Sequence, residues 1–433
     1  MCAMRLPPRF APLLLAALLS ACSTTAPNLR HSAADLQRYQ AADFSWPATI
    51  AEGELALRTM ELERLRARLA MPIGPESDAE LPAALSAAML FNAEIEPAKV
   101  RLREALPRAA AMAPNAQRAL LSAAHALDPI GNAETLKLLL GQLTTPREFA
   151  IASYALLRAD AAQASLVQQH LQTRLASQAD EPRLLALAQH LQARPAQPPL
   201  AELLNAPLLA GHPVVFSLQR ADRRQRGLAL VRGADGRFVR ESDGRLLAIP
   251  QLALALSNLP GTISLGNTPQ GLYTVVGSGT AATNPWIGPT PYLHAMLPVE
   301  ADPATFFHGQ ALDPNWSEAQ YERLLPPSWR QFSPFKEAWL AGRAGRNEIL
   351  MHGSTVNPAY YAGSPFFPGT PTAGCLMADE RWDPATGRLL ASDQLRLAKA
   401  FTRDGVERGF LVVVEVEGEG AIELSDFVNL APR

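Results

Sequence analysis

Residues 193–213, "ARPAQPPLAELLNAPLLAGHP", divide the chain into two halves of different hydrophobic period. Five prolines in 21 residues interrupt any regular element and mark a boundary. On the N-terminal side, residues 49–205 are rich in Ala and Leu at helical spacing. Segments such as "PNAQRALLSAAHAL", "TPREFAIASYALLR" and "EPRLLALAQHLQA" begin at Pro, Thr-Pro or Glu-Pro, as helix starts do. The short links between them predict antiparallel neighbours. Helix pairs recurring at about 30–40 residues predict either a HEAT-like stack or an irregular bundle. On the C-terminal side the period becomes that of strands. "PVVFSLQ", "GLALVRG", "GRFVRES" and "GRLLAIP" alternate around "ADG" and "SDG" turns, and "GTISLG", "GLYTVVG", "NEILMHG" and "GFLVVVEVE" are further strand candidates. The expected class is therefore α+β and multidomain: an all-α N-terminal repeat or bundle, then a mainly-β domain over residues 213–433.

The 433 residues exceed the usual size of a single core. A formal charge of −2 excludes a general electrostatic footprint for nucleic acid. The first residues, "MCAMRLPPRFAPLLLAALLSAC", carry Arg5 and Arg9 before an apolar run at 11–19. That run is too short to span a bilayer but suits a signal peptide. Its end, Leu19-Ser20-Ala21-Cys22, resembles the lipobox of bacterial lipoproteins, which implies removal of residues 1–21, lipidation of Cys22, and a tether over 22–48. Ser23 after the lipidated position resembles the outer-membrane sorting pattern. The alternative is an ordinary secretory signal cleaved near Ala21.

Of three cysteines, Cys2 would leave with the signal and Cys22 would carry lipid, so Cys375 remains as a lone thiol in an oxidising compartment. Such a thiol is either buried and inert or used. Its surroundings favour use. "NEILMHGST" delivers His352 and Gly353 at a strand end, "TAGCL" brings Thr372, Ala373, Gly374 and Cys375, and "LGNTPQGLYTVVG" carries Thr268, Pro269, Gly271 and Tyr273. A thiol needs a base to become a nucleophile at neutral pH, and His352 is the candidate.

These three elements, in this order, resemble the catalytic domain of the L,D-transpeptidase family, enzymes that remodel bacterial peptidoglycan. The resemblance covers residues 213–417 and does not extend to the helical half. It implies a Cys375 acyl-enzyme, His352 as base and then acid, and the Gly353 carbonyl as the group that orients the imidazole. It further implies an oxyanion hole from the amides of Ala373, Gly374 and Cys375. Thr372, Tyr361, Arg381 and His294 are the expected substrate contacts. The substrates implied are peptidoglycan stem peptides, in a periplasmic envelope protein without metal or organic cofactor. His125, His170 and His190 have no acidic or cysteine companions at ligand spacing.

Two features depart from the family pattern: Met377 stands after Cys375-Leu376 where Arg or Asn often follows, and Ala373 stands where many members have His. The link from His352 to Thr372, "STVNPAYYAGSPFFPGTP", is also long. Residues 280–346 read as a partly helical insertion holding Trp286, Trp316, Trp329 and Trp339, with His294 and His308. A lid or wall beside the cleft is expected of it, its aromatics more often packed than stacking on glycan. Water as acceptor in place of an amine would make the protein an L,D-amidase or carboxypeptidase. A non-catalytic scaffold, with the helical half binding an envelope protein, is the alternative of another class.

Overall fold

A computed structural model describes residues 31–281 and 284–426. The signal segment, Cys22 and the first part of the tether lie outside the described residues. A short helix α1 (Ala33–Arg38) leads in, capped by the Ser32 hydroxyl on the Asp35 amide. Eight helices follow: α2 (Ala51–Leu69), α3 (Pro75–Phe91), α4 (Ile95–Ala105), α5 (Pro114–Leu127), α6 (Ala133–Leu139), α7 (Pro146–Ala159), α8 (Ala164–Leu175) and α9 (Pro182–His190). Alternate members α3, α5, α7 and α9 each start with proline at the first helical position, where a missing N–H costs nothing. These four also pack on one another in sequence, forming one layer, with α4, α6 and α8 against it. Leu85, Phe91, Leu120, Phe149 and Leu187 fill the space between them.

The proline-rich boundary holds one more turn of helix, α10 (Leu200–Leu204), whose Leu203 and Leu204 are buried against strands beyond it. Those strands are β1 (Val214–Gln219), β2 (Gly227–Arg232), β3 (Ala248–Leu252), β4 (Gly271–Gly279), β5 (Tyr292–Met296), β6 (Ile349–His352), β7 (Leu376–Ala378) and, after the small pair β8 (Glu380–Trp382) and β9 (Leu389–Ser392), β10 (Gly409–Glu415). Eight of them close into a barrel in the order β1-β10-β4-β5-β6-β7-β3-β2. Only β1–β10 and β6–β7 are parallel; the remaining pairs are antiparallel. The architecture is thus mixed α/β, with an eight-stranded closed barrel beside a helical layer.

Strand alternation sorts side chains between two faces. Val215, Val231, Ile249, Val275, Leu293, Met351, Leu376 and Leu411 form one cluster that fills the barrel. On the outside, Phe216, Leu230, Leu272 and Val412 pack under α11 (Pro303–Phe306), α12 (Glu318–Glu322), α13 (Pro327–Arg330) and α14 (Glu337–Arg343). A last helix, α15 (Asp393–Phe401), packs on β2, β3, β5 and β7. No described helix is long and apolar enough to cross a membrane.

Three expectations change. "GRFVRES" makes only isolated bridges at Phe238 and Arg240. "GTISLG" forms turns, because a guanidinium takes its carbonyls in place of a neighbouring strand. The stretch read as an insertion contains a barrel strand, β5, whose Leu293 and Ala295 point inward. Its aromatics mostly cover the barrel: Trp329 and Trp339 are buried and Trp316 packs against them, while Trp286 lines a cleft.

The long link after His352 explains how the halves join. It folds into a turn at Pro358–Tyr361 whose Tyr360 hydroxyl meets Glu54 and whose backbone carbonyl accepts from Asn92 Nδ2 at 3.0 Å. Met377, where the family pattern has a polar residue, is buried with Leu252 in the same core as the helices.

Candidate active site

Strand β6 alternates strictly. Ile349 and Met351 enter the barrel, so Leu350 and His352 face outward. The parallel register of β6 with β7 sets Met351 beside Leu376 and His352 beside Met377. One step back places Cys375 beside Leu350, whose N–H donates to Sγ at 3.4 Å, while Sγ lies 3.7 Å from the Glu348 carbonyl. Cys375 and His352 thereby occupy one face of adjacent strands, on a diagonal that in sheets spans about 7–8 Å between backbones, within the reach of an imidazole. Both line a cleft of about 240 Å³ together with Thr372, Ala373 and Gly374.

His352 is almost fully buried, and its Nδ1–H donates to the Gly353 carbonyl at 2.5 Å. A carbonyl only accepts, so Nδ1 carries the proton and Nε2 keeps its lone pair. Burial pushes this imidazole down to about 4, with the bond to Gly353 opposing. The ring is uncharged at neutral pH. A Cβ at Gly353 would sit 2.1 Å from the Glu380 carboxyl carbon, so a side chain there would have to displace that buried carboxyl group. Glu380 takes a hydrogen bond from Ser392 Oγ at 2.8 Å, and burial pushes its carboxyl up to about 8.

The cysteine turn is fixed from both sides. Thr372 Oγ1 accepts the Gly374 N–H and donates to the Cys375 carbonyl, each at 2.9 Å. Gly374 sits at φ +123°, and a Cβ there would be 2.4 Å from Arg346 Nη2 and 2.6 Å from the Gly266 oxygen. Its carbonyl accepts from Thr268 Oγ1 at 3.0 Å and from Arg346 Nη2 at 3.1 Å. The same guanidinium donates to the carbonyls of Gly261, Ile263 (3.2 Å), Gly266 (2.8 Å) and Asn267 (2.8 Å). Arg346 thus ties the turns of 261–267 to the cysteine turn. Tyr273, buried, closes the Thr-Pro segment by donating to the Pro269 carbonyl at 2.5 Å.

Of the residues expected from sequence, Cys375, His352, Ala373, Gly374 and Thr372 come together, with Gly353 directly behind. The Thr372 hydroxyl is spent within the turn rather than offered to substrate. The Gly374 amide is spent there too, which narrows the expected three oxyanion donors to the amides of Ala373 and Cys375.

Three other residues stand apart from the cleft. Tyr361 is buried, its hydroxyl donating to the Leu90 carbonyl at 2.6 Å, so it anchors the link to α3. Arg381 is exposed on β8, in the separate two-stranded sheet. His294 pairs with Leu350 across β5 and β6 and backs the cleft one strand beyond Cys375. Both of its ring nitrogens are buried without a partner, and burial pushes it down to about 4.

The cleft also holds Trp286, from the stretch expected to wall it, and residues that sequence reasoning missed: Arg346, and Leu90, Arg118 and Arg147 from the helical half. Only the position of Arg346, just before the His352 strand, could have drawn notice. No family model, curated protein or solved structure matches the chain.

Proposed function

We propose that the protein is a cysteine acyltransferase of the L,D-transpeptidase type, acting on peptidoglycan stem peptides from a lipid anchor at Cys22 in the periplasm. The observation that supports this best is the pairing of Cys375 with a neutral His352 whose Nδ1–H is committed to the Gly353 carbonyl. Nε2 is then the nitrogen available to act as base.

In this reading Nε2 takes the Sγ proton as the thiolate attacks the carbonyl of the L,D-configured bond. The amides of Ala373 and Cys375 are the donors to the resulting oxyanion, each such donor being worth about 2.7–4 kcal/mol in the transition state. Collapse breaks the C–N bond, the departing amine takes the proton from Nε2, and a thioester remains on Cys375. An amine of a second stem then attacks the thioester and passes its proton to Nε2. The thiolate leaves and recovers that proton, closing the cycle with a new amide.

The test is intact mass of the chain from Ser23, which keeps every described residue, after brief exposure to a tetrapeptide stem. An adduct equal to the stem minus its terminal residue, absent in Cys375→Ala, is expected. His352→Gln should slow its formation by about 10²–10⁴-fold. No adduct on Cys375 from any stem would refute the proposal.

A further inference from the structure

The cleft wall opposite the thiol comes from the helical half. Layer neighbours α3, α5 and α7 contribute Leu90, Arg118 and Arg147 respectively. Helices α5 and α7 pack directly on each other, and their arginines line one cleft, near enough for the charge of Arg118 to act on Arg147. Their charges are poorly matched by the protein itself. Among the described residues neither forms an ion pair; Arg118 has only a long 3.5 Å contact to Asn115 Oδ1, and Arg147 Nε is buried without a hydrogen-bond partner. Burial lowers the pKa of Arg147, and the neighbouring charges of Arg183 and Arg118 lower it further, with Glu148 and Glu181 opposing without an ion pair to it. Glu181, which acts on Arg147 through space, is itself taken by Arg183 at 2.9 Å. The remaining charged side chains of the cleft are Arg346, committed to five carbonyls, and Glu348.

We infer that Arg118 and Arg147 form an anion subsite of the Cys375 cleft, which takes a carboxylate of the donor peptide remote from the scissile carbonyl. The substrate part of this inference rests on the acyl-donor reading above; the anion subsite itself does not. Two guanidiniums facing one cleft repel each other, and a carboxylate bridging them removes that repulsion while filling their donor forks. The buried, partnerless Nε of Arg147 is the kind of group a ligand completes. Free carboxylates are present along a stem peptide, and a donor whose thioester is forming at Cys375 has its remaining length in the same cleft. The helical half is then part of the substrate site, in addition to any docking role.

The experiment compares the chain from Ser23 with Arg118→Gln, Arg147→Gln and the double variant, with circular dichroism confirming the fold. One readout is the rate of Cys375 acylation by a stem with free carboxylates and by the same stem as its carboxamide. The double variant should lose about 10–100-fold on the free acid, as charged hydrogen bonds predict, and less than about threefold on the amide. A second readout needs no turnover: the ratio of Cys375 alkylation rates with iodoacetate and with iodoacetamide. That ratio should fall by about threefold or more in the double variant as the local positive field is removed. An unchanged ratio, or equal loss on acid and amide donors, overturns the subsite. A ratio that falls while no stem acylates the wild type would uphold the subsite and refute the transpeptidase reading.

Discussion

Arg346→Met tests whether one buried guanidinium holds the reactive turn in place. Methionine retains an unbranched apolar stem and removes every donor. Five carbonyls lose a partner, but two of them keep another: Ile263 still accepts from the Gly266 amide at 2.9 Å, and Gly374 from Thr268 at 3.0 Å. The buried carbonyls of Gly261, Gly266 and Asn267 each forfeit the guanidinium, at about 1–3 kcal/mol apiece. Relief of the cation's own desolvation offsets several kcal/mol of that sum. A net loss of about 2–5 kcal/mol is expected in urea unfolding followed by tryptophan fluorescence. Arg346→Lys, with three donors at one point, should fall between the two proteins. Because Gly374 shifts with the turns of 261–267, Cys375 acylation should drop on the order of 100-fold, the usual consequence of displacing a reacting group by about 1 Å. A methionine variant within about 0.5 kcal/mol of wild type, acylating at the native rate, would refute the assignment of Arg346 as the organiser.

Gly374→Ala should destabilise by more than Gly363→Ala. Both residues have positive φ, which alone costs on the order of 1–3 kcal/mol, but only Gly374 has Arg346 and Gly266 within 2.6 Å of the added carbon. Equal shifts in melting temperature would mean that packing at the cysteine turn is looser than described. His294→Leu should flatten the pH dependence of stability. The folded-state pKa, about 4, lies below the unfolded value near 6.5, so the unfolded chain binds the proton first as pH falls. The contribution of this residue is therefore intact above about pH 6.5 and lost toward pH 4. Between pH 7.5 and 5 the wild type should lose about 2 kcal/mol more than the variant. Parallel curves in urea titrations at the two pH values would contradict this.

The helical half was legible because its period is local: Pro114, Pro146 and Pro182 announce helix starts, and Ala and Leu recur on one face. Strands β1, β2, β4, β6 and β10 were legible as unbroken apolar runs. Strand β5 was not, since its five residues fall among prolines and carry Tyr292 and His294 on the outer face. Strand β7, at three residues, is too short to show a period. "GTISLG" has strand composition, but where its carbonyls find donors depends on Arg346, about eighty positions later, which no local pattern reveals. The site divides in the same way. Cys375 and His352 stand out because thiols and imidazoles are scarce in this chain. Arg118 and Arg147 do not, because arginine is its ordinary cation and their nearness to Cys375 exists only once two distant halves have packed.

The register of β6 on β7 has a consequence for how this architecture can diversify. The spacing of thiol and imidazole is written into two neighbouring strands, while the seventeen residues between Gly353 and Pro371 leave the sheet altogether and grip the helices. Inserting one residue within β6 would turn His352 toward the barrel interior and end the proposed chemistry, since side chains alternate between faces. Adding or removing residues in the excursion changes what stands over the cleft and how the barrel meets the helices, which Tyr360 and Tyr361 anchor. The spacing of thiol and imidazole and the cover of the cleft are thus encoded in separate stretches of chain, and strand register fixes only the first.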